Sequence, residues 1–125
     1  MSVSRKHRDL RVWQDSIRLV KNVYLATETF PKHEIYGLTS QMRRASVSVP
    51  TNIAEGSARI SRKELLHFLS IARGSLSELD TLAEISMALG YLSNESTLES
   101  EINQVSGLLA RLRTSLNNPE QSARA

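Results

Sequence analysis

Apolar residues recur at three- and four-residue intervals along most of the chain, and short polar, glycine or proline breaks divide that pattern into helical stretches. The first stretch predicts a helix over 10–29. Trp13, Ile17, Val20 and Tyr24 make one apolar row, and Val12, Leu19, Val23 and Ala26 make the row beside it, so a wide buried face is expected. Asp9 stands where an N-cap belongs. Phe30-Pro31 ends the stretch, because a residue before proline is pushed out of the helical region. The second stretch predicts a helix over 38–55, with Leu38, Met42, Ala45, Val49 and Ile53 as its apolar row. Pro50 lies inside it, where it lacks an N–H to donate and is expected to kink the axis. Gly56 then reads as the helix stop.

Ser61-Arg62-Lys63-Glu64 has the S-x-x-E form of a capping box and opens the third helix. That helix is expected to reach Leu89, with Leu65, Leu69, Ala72, Leu76, Leu79 and Ala83 in the core. Gly90 followed by Tyr91 reads as a stop with an apolar clasp. Ser93 is the expected cap of the fourth helix. Leu98, Ile102, Val105, Leu109, Leu112 and Leu116 are spaced 4, 3, 4, 3, 4, a heptad seam suited to bundle packing. The fold expected is all-α, an antiparallel up-down-up-down four-helix bundle over 9–117. A flexible basic tail at 1–8 and a flexible tail at 118–125 complete the chain.

Composition narrows the picture. The 125 residues suit one domain, and only 5 glycines and 3 prolines agree with few, long helices. There is no cysteine, which removes disulfides, thiolate metal sites and thiol catalysis and fits a reducing, cytoplasmic setting. No apolar run approaches the roughly 18 residues of a membrane span. The net charge of +3 is unevenly spread: residues 1–73 hold 13 Lys/Arg against 6 Asp/Glu, and residues 74–125 hold 3 against 7. A basic half of this kind suits an anionic partner, RNA or DNA, or an acidic surface of another copy.

Candidate chemistry is sparse. Glu64 and His67 form an E-x-x-H, but a di-iron bundle needs a second such pair, and His7 and His33 fall in a tail and a loop. No phosphate-binding glycine loop, nucleophile elbow or zinc spacing is present. No enzymatic activity, metal or cofactor is therefore expected. The second helix carries Gln41, Arg44, Ser48, Asn52 and Glu55 in one stripe, an inventory suited to a hydrogen-bonded network at an interface. On the third helix Ser70, Gly74, Ser77 and Thr81 form a row of small residues that permits close approach of another helix. Arg43, Arg44, Arg59, Arg62 and Lys63 are the candidate phosphate contacts, assisted by Arg5, Lys6 and Arg8. They form two clusters at opposite ends of the bundle.

DLRVWQDSIRLVKNVY, FPKHEIYGLTSQMRRASVSVPTNIAEGSAR and ELLHFLSIARGSLSELDT together resemble the four-helix bundle proteins encoded in intervening sequences of bacterial 23S rRNA genes. The resemblance covers roughly residues 9–116. Its signature, SQxRRAxxSxPxNIAEGxxR, is matched from Ser40 to Arg59. That family is similar in fold to the accessory protein of diversity-generating retroelements, a ring of five that cooperates with a reverse transcriptase. The resemblance implies a homo-oligomer, a pentamer above all, with RNA, DNA, a reverse transcriptase or another protein as partner. It supplies no catalytic residues. A scaffold that binds protein and no nucleic acid is the alternative expectation.

Overall fold

The structure, a computed structural model, describes residues 6–118. Among them are four α-helices and no strand: α1 Arg11–Thr27, α2 Leu38–Ser57, α3 Arg62–Ala88 and α4 Leu98–Asn117. Short 3-10 turns at Lys6–Asp9 and Lys32–Glu34 precede α1 and α2. Each helix touches its two neighbours, α1 with α2 and α4, α3 with α2 and α4, and the diagonal pairs do not meet. Cross-helix contacts run in opposite chain directions. Asp15 meets Gln104 and Asn22 meets Glu101. Met42 meets Ser86 and Ser48 meets Ser75.

The core is the apolar seam of all four helices, including Leu19, Val23, Met42, Val49, Ile53, Leu69, Leu79, Val105 and Leu109. Three serines sit fully buried within it. Ser16, Ser46 and Ser86 each donate a hydroxyl hydrogen bond to a carbonyl of their own helix, at 2.7, 2.8 and 2.9 Å. These short side chains are thereby satisfied within their own helices, Ser86 also reaching Met42 Sδ across the core at 3.4 Å, and neighbouring helices can pack closely against them.

Several sequence expectations are met in detail. Pro50 lies inside a continuous α2 and is buried. The Ser61 hydroxyl accepts the Glu64 backbone N–H at 3.1 Å, the first half of the capping box. Gly90 has φ 79° and closes α3 in a Schellman motif: Tyr91 N–H reaches Ser86 C=O at 2.9 Å and Gly90 N–H reaches Met87 C=O at 3.0 Å. The Tyr91 ring rests 5.7 Å from Phe30, which clasps the α3–α4 turn to the end of α1. Partial burial, and then the Glu34 carboxylate, push the Tyr91 phenol above the usual tyrosine range. It is therefore a neutral donor at any physiological pH. Because only glycine adopts a positive φ freely, Gly90→Ala should cost about 1 kcal/mol in thermal unfolding.

Other expectations are corrected. On α1 the buried row is Val12, Ser16, Leu19 and Val23, whereas Ile17 and Tyr24 of the other row are 43% and 41% exposed. Asp9 does not cap α1; Leu10 holds the N-cap position in extended conformation with no side-chain hydrogen bond. Ser93 caps only a turn, accepting Glu95 N–H at 3.1 Å, and α4 starts five residues later at Leu98. In the heptad seam Leu112 and Leu116 are only half-buried. Gly56 is not a left-handed stop: α2 runs through it to Ser57. A Cβ there would stand 2.9 Å from Phe68 Cβ, so α2 and α3 approach tightly at Gly56.

Candidate nucleic-acid and subunit interfaces

An up-down order places the start of α1, the end of α2, the start of α3 and the end of α4 at one end of the bundle. That end carries Lys6, Arg8, Arg11, Arg59, Arg62 and Lys63 against Asp9, Glu55 and Glu64, with Arg113 about two turns further along beside Ser70. The opposite end gathers Glu28, Glu34, Glu84, Glu95, Glu99 and Glu101, relieved by Lys21, Lys32, Arg43 and Arg44. The uneven charge along the sequence thus becomes a charge difference along the bundle axis.

Arg59, Arg62 and Lys63 are all exposed around the α2–α3 turn. Arg59 stacks over the Phe68 ring at 4.9 Å, which steadies the guanidinium while leaving its edge to solvent. Arg8 lies over Trp13 at 5.5 Å, and His7 meets the same ring edge-on at 5.0 Å. Arg5 lies outside the described residues. At the other end Arg43 is engaged: Nε donates to Thr27 Oγ1 at 2.9 Å, and the guanidinium covers the Tyr24 ring at 4.6 Å. It ties α2 to α1. Arg44 is exposed. Sixteen residues of helix separate Arg43 from Arg59, about 24 Å at 1.5 Å per residue, so the two clusters do not merge.

The polar stripe resolves into a smaller network. Asn52 Nδ2 donates to Ser48 C=O at 2.8 Å and to Ser48 Oγ at 2.9 Å, and Ser75 of α3 donates to the same Oγ at 2.8 Å. Gln41, Arg44 and Glu55 stay exposed beside it. Ser70, Gly74, Ser77 and Thr81 are exposed on the outer face of α3, and Thr81 hydrogen-bonds back to Ser77 C=O at 3.0 Å. The α1 row that misses the core lines a surface groove against α2. Trp13, Ile17, Val20, Val47, Pro50 and Ala54 form its apolar walls, around about 420 Å³.

Glu64 and His67 are exposed beside Arg59, Lys63 and Phe68 in an open depression. Among the described residues no three His, Cys, Asp or Glu side chains converge as metal ligands. No helix among them is long and apolar enough to cross a membrane. Sequence reading passed over Asp15, which is buried on α1. Its carboxylate pairs with Arg18, lies 3.7 Å from Arg11 Nε and accepts Gln104 Nε2 at 3.0 Å. Its position between Val12 and Leu19 on the core-facing row is the sequence signal that marks it.

These features define a charge-polarised, all-helical four-helix bundle. The chain belongs to the 23S rRNA-intervening sequence protein family, whose profile matches residues 8–111. Among solved structures it is similar to a protein of unknown function from the S23 ribosomal protein family of Bacteroides thetaiotaomicron. The TM-score is 0.74 at 21% identity, over 82% of this chain and 95% of that one. At that identity the likeness bears on the fold. No curated protein matches the chain.

Proposed function

We propose that this protein is a non-enzymatic, cytoplasmic homo-oligomer that contacts the phosphate backbone of RNA or DNA through the basic end of its bundle. The observation that carries this reading is the charge segregation along the axis, with Arg59, Arg62 and Lys63 exposed at one turn and Lys6 and Arg8 nearby. Point charges on flexible stems neutralise phosphates without reading bases, so binding is weakly sequence-specific. A closed ring, five subunits by family resemblance, presents the basic end repeatedly and gains avidity.

The test is binding of duplex DNA and single-stranded RNA at several salt concentrations. The logarithm of affinity should fall with the logarithm of salt by about 0.9 per neutralised phosphate on duplex DNA. Arg62→Ala/Lys63→Ala should weaken binding and flatten that slope at unchanged stability. Arg43→Ala should instead lower the melting temperature, because it removes the contacts to Thr27 and Tyr24. A parent protein that binds neither nucleic acid at low salt refutes this reading. The apolar α1–α2 groove then favours the alternative, a scaffold for another protein.

The assembly has its own test. A Cβ at Gly74 would meet nothing within 4 Å, so a large side chain fits on the isolated subunit. Gly74→Leu should leave helicity intact and reduce the mass seen by light scattering if the outer face of α3 is the subunit contact. A parent monomer at tens of micromolar removes the oligomer.

A further inference from the structure

A second basic feature lies between α3 and α4, away from the α2–α3 turn. Arg73 and Arg113 flank a cleft of about 530 Å³, joined by the side chains of Ser77, Ser106, Thr114 and Asn117. Leu76, Leu109 and Ala110 form its apolar part. Among the described residues no carboxylate lines it. Among the described residues the ion pairs are those of Asp15 with Arg11 and Arg18, so neither cleft arginine is neutralised by an acid. Arg113 is held in place by one long hydrogen bond, from a terminal guanidinium nitrogen to Ser70 Oγ at 3.3 Å. Its Nε is the one buried side-chain nitrogen or oxygen among the described residues with no hydrogen-bond partner.

An orphaned guanidinium N–H is unusual, because a buried charged donor normally finds an acceptor. That Nε is closed to solvent, so the groups a ligand in the cleft meets are the rest of Arg113, Arg73, three hydroxyls and an amide, donors suited to one anion. A guanidinium fork matches the oxygens of a phosphate in geometry as well as charge. The carbonyl end of α4 opposes an anion here, but its partial charge is about half a unit, against two full cations. The volume exceeds what a phosphate alone needs and lies in the range of small-molecule pockets. The apolar part offers a surface for the rest of such a ligand.

We infer that the α3–α4 cleft binds a phosphate monoester of nucleotide size, with the phosphate on Arg73 and Arg113 and the organic part over Leu76 and Leu109. The monoester is either a free nucleotide or the 5′-phosphorylated end of an RNA chain. The site is separate from Arg59, Arg62 and Lys63 and stands or falls independently of them.

Calorimetric titration tests it with inorganic phosphate, uridine 5′-monophosphate, uridine, and a short oligouridylate bearing a 5′-phosphate or a 5′-hydroxyl. The nucleotide should bind and the nucleoside should not. Arg73→Gln and Arg113→Gln should each weaken the nucleotide at least about tenfold, the scale of a lost charge-assisted hydrogen bond. Arg62→Ala/Lys63→Ala should leave it unchanged. Arg73 is exposed, so Arg73→Gln, checked for an unaltered melting curve, carries the test if Arg113→Gln fails to fold. A 5′-phosphorylated oligonucleotide that binds tighter than the nucleotide identifies an RNA end as the source; equal affinity identifies a free nucleotide. Equal binding of uridine and its monophosphate, no binding at millimolar concentration, or full affinity in Arg73→Gln overturns the inference.

Discussion

Leu79→Ala is expected to lower the unfolding free energy by about 2–5 kcal/mol, the range for deleting a fully buried leucine side chain. Leu79 is 0% exposed near the middle of α3, the helix that packs against both α2 and α4. Removing its isobutyl group forfeits the transfer free energy and leaves a cavity that long helices on either side cannot close by moving locally. Domains of this size hold only about 5–15 kcal/mol in total, so the variant should unfold at much lower urea. Leu109 is equally buried but borders the α3–α4 cleft, where side chains can relax into the gap; Leu109→Ala belongs at the low end of the same range. Leu89→Ala, at a 54% exposed position, should fall within about 0.5 kcal/mol of the parent. Urea unfolding of the three variants settles the order, and a loss under about 0.5 kcal/mol for Leu79→Ala would contradict the packing described.

How far the fold was legible depended on whether local chemistry or packing decided each feature. The Ser61 cap and the Gly90 motif are set by a few adjacent residues, and both stand where the sequence places them. The rows of α2 and α3 are legible because polar residues bound them sharply. On α1 the apolar band is wider than two neighbouring helices cover. Periodicity alone does not tell the row of Val12, Leu19 and Val23 from that of Trp13, Ile17 and Tyr24. The buried row also takes in Ser16 and Asp15, polar residues that hydrophobicity alone assigns to solvent. Asp15 is carried inward by Arg11 and Arg18 on its own helix and by Gln104 on α4, and the last lies 89 residues away in sequence. Distance in sequence also hid the α3–α4 cleft, since Arg73 and Arg113 share no motif and come to line one cleft only when the bundle closes. The start of α4 was missed for a local reason. Ser93, Asn94, Ser96 and Thr97 each offer a cap-like side chain, and Ser96 Oγ accepts Leu98 N–H at 3.2 Å.

Gly56 and Gly74 should respond to alanine with opposite sign. Both lie inside helices without positive φ, so on propensity alone either substitution stabilises by up to about 1 kcal/mol. At Gly74 nothing opposes that gain, because a new Cβ meets open space. At Gly56 the methyl would stand 2.9 Å from Phe68 Cβ, 3.0 Å from Leu65 Cδ1 and 3.3 Å from Leu65 C=O. Leu65 Cδ1 is the end of a flexible side chain and can rotate away. Phe68 Cβ and the Leu65 carbonyl are held by the α3 backbone, so relief requires α3 to move off α2 at this contact. Overpacking of that kind costs about 1–3 kcal/mol, more than propensity returns, and Gly56→Val adds a branched methyl to the same contact. The expected order of stability is Gly74→Ala above the parent, then Gly56→Ala, then Gly56→Val lowest. Thermal and urea unfolding under identical conditions measure it. A gain at both positions would show that α2 and α3 are not in tight contact at Gly56. A loss at both would place another subunit over Gly74, since the isolated bundle has room there, and would locate the subunit contact on the outer face of α3.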